Sequence, residues 1–143
     1  MTQKDKELLL KDLCSRLPYG VKGLHRGEKR ELLVMDSFGS YQVNEYDAWF
    51  DLNSVIFKPY LFPFSSMTKE QKRELNKKFN VQFSGNDIHS IHYHSEGCWD
   101  TDLELDLQDW LWFINWCYKN HFDVNKLIEK GLAVDATGLN IYC

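Results

Sequence analysis

Residues 58–68 read Lys58-Pro59-Tyr60-Leu61-Phe62-Pro63-Phe64-Ser65-Ser66-Met67-Thr68 and form the most informative stretch of the chain. Its two prolines favour an extended backbone, because proline fixes its own φ and disfavours helix in the residue before it. Thr68 and Gln71 then have the spacing of a capping box, in which each side chain accepts a hydrogen bond from the other residue's backbone N–H. The stretch therefore predicts a change from extended chain to helix at residue 69.

The helix that follows is predicted to run from Lys69 to Phe79, with Leu75 and Phe79 on its core side. Its other face is a candidate basic surface formed by Lys69, Lys72, Arg73 and Lys77. Residues 58–78 hold six Lys and Arg against two acids, so this helix could contact an anionic partner.

Upstream of this segment the pattern predicts one helix and then a sheet. Apolar residues recur at helical spacing over residues 4–17, and Pro18 and Gly20 end that helix. Short apolar runs bounded by turn residues then predict strands at residues 21–25, 31–38, 41–50 and 54–57. Because the connections are short, we expect an antiparallel meander.

Downstream, residues 80–83 and 88–94 are predicted to form two further strands around a turn at 84–87. Residues 101–107 fit both a half-buried strand and the start of a helical stripe, and we expect the helix to begin near Leu107 and reach Asn120. In this interpretation one stripe of the helix faces the core, formed by Leu103, Leu107, Trp110, Leu111, Ile114 and Tyr118. Asp123 is predicted to cap a last helix at 124–130, which Gly131 ends before an extended tail.

These elements define an α+β fold in a single domain, residues 1–143. In chain order we predict an N-terminal helix, an antiparallel β meander, a middle basic helix, two further strands and two C-terminal helices.

Composition limits the function class. No signal peptide is visible, and the longest apolar run, residues 110–114, is far shorter than the ~18 residues of a membrane span, so we expect a cytoplasmic protein without membrane contact. The four cysteines lack metal-ribbon spacing and are expected to be free thiols. A net charge of −4 disfavours nucleic acid as a general partner.

A histidine-rich stretch is the main candidate for chemistry. His92, His94 and Cys98 are candidate metal ligands, because alternate residues of a strand share one face. No established zinc signature accompanies them, so ordinary strand residues are the favoured interpretation, with neither a metal nor any other cofactor expected. The alternating acids from Asp100 to Asp106 lack the glycine of a calcium loop. No catalytic residue is assigned.

Tryptophans on the helix near residues 107–120 point to association. Trp112 and Trp116 lie away from the predicted core stripe and, with Phe113, make the helix apolar on nearly every side. Such a surface is typical of contact with a protein partner or a second copy. Two alternatives remain: a metal-assisted hydrolase using His92 and His94, and a nucleic-acid contact through the basic helix 69–78.

Three stretches carry a resemblance to a known group of proteins. They are residues 8–21 (Leu-Leu-Leu-Lys-Asp-Leu-Cys-Ser-Arg-Leu-Pro-Tyr-Gly-Val), residues 58–68, and residues 120–133 with Asn120-His121-Phe122-Asp123 and Leu127-Ile128-Glu129-Lys130-Gly131-Leu132-Ala133. In this order they resemble uncharacterised small proteins of Bacteroidales-type prophages and mobile elements. The chain departs from that pattern at Phe62, where an arginine is expected. The resemblance implies a cytoplasmic accessory protein of phage or mobile-element origin with no assigned activity, and it favours a binding role over an enzymatic one.

Overall fold

The structure is a computed structural model that describes residues 1–79, 91–94, 98–101 and 106–142, with the strands at 91–94 and 98–101 described by their backbone. The helices are α1 (Gln3–Arg16), α2 (Lys69–Phe79) and α3 (Leu107–Lys119), with 3₁₀ turns at Leu17–Tyr19 and Phe64–Ser66. The strands are β1 (Val21–His25), β2 (Glu28–Met35), β3 (Ser40–Val43), β4 (Phe50–Asp51), β5 (Lys58–Leu61), β6 (Ile91–His94), β7 (Cys98–Thr101) and β8 (Val134–Asp135).

Six of these strands form one mixed sheet in the order β4-β3-β2-β1-β5-β8. The four pairings from β4 to β5 are antiparallel, whereas β8 joins β5 in parallel. The predicted α+β fold and the antiparallel meander are therefore confirmed. The strands β6 and β7 form a separate antiparallel hairpin.

Helix ends follow the capping signals in the sequence. Thr68 Oγ1 accepts from the Gln71 N–H at 3.2 Å, and Gln71 Oε1 accepts from the Thr68 N–H at 2.8 Å, so the predicted capping box begins α2. Asp106 caps α3 in the same way with Asp109, which places the helix start at Leu107 as predicted. A third box, formed by Thr2 and Asp5, begins α1.

Several predicted boundaries are wrong. The second strand lies at Glu28–Met35 instead of 31–38, and a loop divides the predicted strand at 41–50 into β3 and β4. Residues 54–57 form a turn and bend instead of a strand. The predicted strand at 80–83, the turn at 84–87 and residues 88–90 lie outside the described residues.

The last predicted helix, at 124–130, is wrong. This segment is a series of turns, and Lys126 has a φ of 55°, which a right-handed helix does not contain. Asp123 does bind backbone N–H groups as an N-cap would, accepting from Leu127 at 2.7 Å and Ile128 at 3.0 Å. Gly131, with a φ of 73°, ends the turns through a Schellman pair of hydrogen bonds, 131 N–H to Ile128 O and 132 N–H to Leu127 O.

Residues 58–68 connect two hydrophobic clusters. Leu61 lies in the first, where α1 packs on the sheet, and Met67 lies in the second, where α2 packs on α3. Between them Phe62 donates its N–H to His121 O at 2.8 Å and accepts from the Asp123 N–H at 2.9 Å. The segment identified from the sequence therefore ties the sheet to the helical half of the molecule.

Gly23 permits the close approach of β1 and β5. A Cβ built at this position would lie 2.6 Å from an aromatic carbon of Phe57 and would also overlap the backbone oxygen of Lys58. Since real Cβ atoms do not come this close, any side chain at residue 23 requires the two strands to separate.

We predict that Gly23→Ala lowers the free energy of unfolding by about 1–3 kcal/mol, the usual cost of overpacking. Chemical denaturation of the purified variant measures this cost. Gln42→Ala on β3 is the control and should change stability by less than about 0.5 kcal/mol. Equal effects of the two substitutions would contradict the steric explanation.

A buried ion pair joins α1 to the chain that follows α3. Arg16 Nε lies 2.6 Å from Asp12 Oδ2, and both side chains are fully buried. Arg16 also donates from Nη2 to Phe122 O at 2.6 Å, and Asn125 Nδ2 donates to Asp12 Oδ1 at 2.8 Å. Burial alone would lower the pKa of Arg16, but the charge and hydrogen bonds of Asp12 outweigh that effect and raise it.

Arg16→Met should lower the free energy of unfolding by about 3–5 kcal/mol, because it leaves the Asp12 carboxylate buried without its cation. The double variant Asp12→Leu/Arg16→Met should be more stable than the sum of the two single variants predicts. Denaturation of the four proteins in a double-mutant cycle gives the coupling energy. Lys11→Met, at an exposed position of α1, is the control, and strictly additive losses would refute the coupling.

Candidate functional site

The candidate site is a groove between α2 and α3 with a volume of about 730 Å³. It is lined by Tyr19, Glu74, Lys77, Lys78, Trp112, Asn115, Trp116 and Lys119. The α2 residues are spaced i, i+3 and i+4, and the α3 residues are spaced i, i+3, i+4 and i+7. Each set therefore occupies one face of its helix.

Stacked aromatic rings form the floor of this groove. Trp116 is 6% exposed, and its ring stacks on Trp112 at 6.2 Å and on Phe122 at 5.6 Å between centroids. Phe122 stacks in turn on Phe64 at 5.1 Å, so the rings continue into residues 58–68. Nε1 of Trp116 donates to Glu74 Oε2 at 2.7 Å. This hydrogen bond fixes the orientation of the indole and gives the Glu74 carboxylate a partner.

Trp112 is half-buried at the edge of the floor. Phe79 meets it edge-on at 5.5 Å, and Lys78 Nζ lies 5.4 Å from its ring centroid. Lys78 also lies 3.8 Å from Asp109. The faces of Trp112 are thus partly covered by Trp116 and Lys78.

The rim of the groove is positively charged. Lys77, Lys78 and Lys119 are exposed there, and of these three lysines only Lys78 forms an ion pair with a described residue, Asp109. Glu74 is the single acid in the lining, and its carboxylate is bonded to Trp116. Although residues 85–123 are acidic in sequence, α2 brings lysines to the tryptophans, so the groove suits an anionic ligand.

The structure changes the role of two predicted partner-binding residues. Phe113 is fully buried and Trp116 is nearly so, which places both in the second hydrophobic cluster. Trp112 remains accessible in the groove. The predicted core stripe is wrong at Leu107 and Leu111, which are 70% and 48% exposed, because α3 turns its Phe113 and Cys117 side toward the core. Tyr118, the last residue of that stripe, is buried as predicted.

The predicted basic surface is divided by the groove. Lys77 lines it, whereas Lys69, Lys72 and Arg73 lie nearer the start of α2 and outside the lining. Sequence reasoning missed Tyr19, Glu74, Lys78, Asn115 and Lys119 as site residues. The spacing of Asn115 and Lys119 with Trp112 was a local signal for two of them, but only tertiary packing brings Tyr19 to the groove.

A second cavity, of about 610 Å³, lies beside the C-terminal tail and shares Lys119 with the groove. Its wall includes His121, which has a φ of 62° and stacks on Tyr142 at 3.5 Å between centroids. The Tyr142 hydroxyl lies 2.9 Å from Tyr60 O and accepts from the Lys22 N–H at 3.2 Å, so this stack holds the tail against the sheet. Burial, followed by the charges of Arg16 and Lys22, lowers the pKa of His121 to about 4.

The candidate metal ligands lie on the separate hairpin. His92 and His94 belong to β6, and Cys98 belongs to β7, directly opposite His94. Within residues 1–79 and 106–142, no three His, Cys, Asp or Glu side chains converge in a way that could hold a metal ion. In the same part of the chain, no helix has the length and apolar character needed to span a bilayer.

Comparison with protein-family models, curated proteins and solved structures gives no match to this chain. The functional argument therefore rests on the geometry of the groove.

The half-buried His121 predicts acid sensitivity. Its folded-state pKa of about 4 lies below the ordinary value of 6.5, so the unfolded chain takes up the proton first and stability falls as the pH drops from about 6.5 towards 4. The slope contributed by this one group should not exceed about 1.4 kcal/mol per pH unit. His25, whose pKa burial also lowers, contributes with the same sign.

Denaturation of wild type and His121→Asn between pH 7 and pH 4.5 measures this contribution. Asparagine tolerates the left-handed backbone at residue 121, so the variant should fold and show a shallower pH dependence. An unchanged slope would show that His121 is not the group responsible.

Proposed function

We propose that the chain is a small accessory protein that acts by binding another protein, without catalysis of its own. Its α2–α3 groove accepts an acidic segment of the partner that carries an apolar anchor residue. The observation that carries this proposal is a rim of three exposed lysines above a tryptophan floor. Among the described lining residues the one acid, Glu74, is already hydrogen-bonded to Trp116. Aromatic anchors with complementary charges around them are typical of protein interfaces.

The hydrogen-bonding groups of the lining support a segment rich in acceptors. Lys77, Lys78 and Lys119 offer only donors, and the Asn115 side chain offers an amide donor beside them. Carboxylates and backbone carbonyl groups would satisfy this set. The resemblance to prophage and mobile-element proteins supports an accessory role of the same kind.

Nucleic acid is the second candidate, because lysines and aromatic rings together also bind single strands. Base stacking needs open ring faces, but Trp116 is buried and Trp112 is partly covered by Trp116 and Lys78. The net charge of −4 further opposes binding along a phosphate backbone. The geometry therefore favours a protein partner.

A peptide-binding experiment tests the proposal. A synthetic peptide rich in Asp and Glu with one central Phe is titrated while tryptophan fluorescence is recorded. Lys77→Glu and Lys119→Glu should each weaken binding by at least about tenfold, equivalent to ~1.4 kcal/mol. Raising the salt from about 50 to 300 mM should also weaken binding, because it screens the lysines.

Lys69→Glu is the matched control, since it makes the same charge change on the same helix. Lys69 lies about 12 Å along α2 from Lys77, farther than the ~8 Å Debye length at physiological ionic strength. Binding should fall less than about threefold in this variant. Equal losses for Lys69→Glu and Lys77→Glu, or equal affinity for a Lys-rich peptide, would contradict a site in the groove.

Two further measurements separate the alternatives. An oligonucleotide that binds more tightly than the acidic peptide and is lost in Lys77→Glu would favour a nucleic-acid contact. Light scattering tests whether the partner is a second copy. A dimer in wild type that Lys77→Glu dissociates would identify self-association through the groove, whereas a monomer in both proteins leaves a different protein as the partner.

A further inference from the structure

The seam between α2 and α3 continues beyond the groove. Three side-chain contacts join the two helices in antiparallel order: Lys78 with Trp112, Glu74 with Trp116, and Gln71 with Asn120. Gln71, Glu74 and Lys78 are spaced i, i+3 and i+7, so they share one face of α2. The first two contacts belong to the groove, and the third extends the same seam to the end of α3.

The second cavity, of about 610 Å³, lies at this end of the seam. Gln71 and Asn120 both line it, and Lys119 lines it as well as the groove. The two cavities are therefore neighbours along one pair of helices. A segment bound in the groove can extend past Lys119 into the second cavity.

The two amide side chains present hydrogen-bond donors to this cavity. Gln71 Oε1 accepts from the Thr68 N–H at 2.8 Å, and Asn120 Nδ2 donates to Trp116 O at 2.9 Å. These backbone partners decide which atom of each amide is oxygen and which is nitrogen.

The remaining contact between the amides uses one hydrogen of Gln71 Nε2, which donates to Asn120 Oδ1 at 3.4 Å. Both amide oxygens thus already have a donor. An amide nitrogen carries two hydrogens, and among the described residues no acceptor takes the second hydrogen of either nitrogen. The pair of amides therefore has donors to offer a ligand.

The charge of the cavity has the sign that suits an anion. Lys119 is the one lysine or arginine among the described lining residues, and none of those residues is an Asp or a Glu. Burial lowers the pKa of His121 to about 4, so this ring adds no charge at neutral pH. One ammonium group beside two amide N–H groups matches the acceptor-only chemistry of a carboxylate.

The length of the seam gives the position of that carboxylate in the bound segment. The apolar anchor is expected at Trp112, because Trp116 is only 6% exposed. Trp112 and Asn120 are eight residues apart, which is about 12 Å along α3. An extended chain covers about 3.3 Å per residue, so three or four residues span this distance.

We infer that the second cavity binds the side-chain carboxylate of an Asp or Glu three or four residues from the apolar anchor of the partner segment. The inference rests on the proposed function and adds a defined spacing to it. Lys119 and the amide N–H groups of Gln71 and Asn120 are the groups that hold the carboxylate.

A set of peptides of constant length tests the spacing. Each has one central Phe with two Asp residues on either side of it, and carries either Glu or Gln at a position three to six residues from the Phe. Binding is measured by tryptophan fluorescence. On one side of the anchor, Glu at the third or fourth position should bind at least about fivefold more tightly than Gln, since charge-assisted hydrogen bonds are the stronger ones. At the other positions the ratio should stay below about twofold.

Gln71→Glu assigns the preference to the second cavity. Glutamate is also a capping-box residue three positions after Thr68, so this variant keeps the start of α2 while adding a negative charge to the cavity. The Glu peptide should bind at least about fivefold more weakly to it than to wild type. The Gln peptide should change by less than about twofold, which a general loss of folding would not produce.

Gln3→Glu is the matched control, because it makes the same substitution in the first turn of another helix. Gln3 lies about 20 Å along α1 from Arg16, at the end of the helix away from Tyr19 and the groove. The ratio of the Glu and Gln affinities should be unchanged in this variant. Loss of the preference in Gln3→Glu, or its survival in Gln71→Glu, would contradict the assignment.

The outcomes distinguish this inference from the proposed function. If the peptides bind and Lys77→Glu weakens them, but Glu has no preferred position, the groove stands and the carboxylate site is overturned. If no peptide of the set binds to wild type, both proposals are overturned. A preference for Glu only at the fifth or sixth position would also overturn the site, because the seam is too short for that spacing.

Discussion

The buried pair of Asp12 and Arg16 is the interaction on which the arrangement of the helices depends. Burying two charges away from water is tolerated only when each charge has several partners. Here the Arg16 guanidinium pairs with Asp12 and also donates to the backbone oxygen of Phe122. The Asp12 carboxylate in turn accepts a hydrogen bond from Asn125. These contacts fasten α1 to the chain just beyond α3. Tyr19 follows Arg16 by three residues, so the same pair also positions Tyr19 beside α2 and α3, where it lines the groove.

A series of stacked aromatic rings connects the interior of the molecule to the groove at its surface. Phe64, Phe122, Trp116 and Trp112 stack in sequence from the aromatic segment at 58–68 to the groove. Large rings have few rotatable bonds, so a packed series of them is rigid at little entropic cost. Because Glu74 holds Trp116 through its indole N–H, the floor is also tied to α2, which carries two of the rim lysines.

The sequence predicted those elements whose signals are local. Capping pairs, proline positions and apolar periodicity gave α2, the start of α3 and the antiparallel meander. The prediction of a helix at 124–130 was wrong because Asp123, although it resembles an N-cap, accepts hydrogen bonds from the N–H groups of a turn. Lys126 in this turn has a left-handed backbone conformation. The predicted core side of α3 was wrong because the sequence of an almost wholly apolar helix does not show which side is buried. Packing against α2 and residues 64–67 decides which side faces the core.

The candidate sites were less predictable than the fold, for a physical reason. The groove combines residues from a turn after α1, from α2 and from α3, and nothing local in the sequence brings Tyr19 to Trp112. In the same way alternation predicts that His92 and His94 share one face of a strand, but only the pairing of β6 with β7 shows which residues stand opposite them. The register between two strands depends on how they pair, and the residue pattern of one strand alone does not predict it.

Both borders of the main sheet are formed by strands of two residues, β4 and β8. So short a border exposes few unpaired backbone groups, and it gives another chain little template for edge-to-edge addition or fibre growth. A chain with 15% aromatic residues would otherwise risk aggregation during synthesis. The brevity of these two strands therefore limits what the main sheet offers for edge-to-edge pairing with another chain.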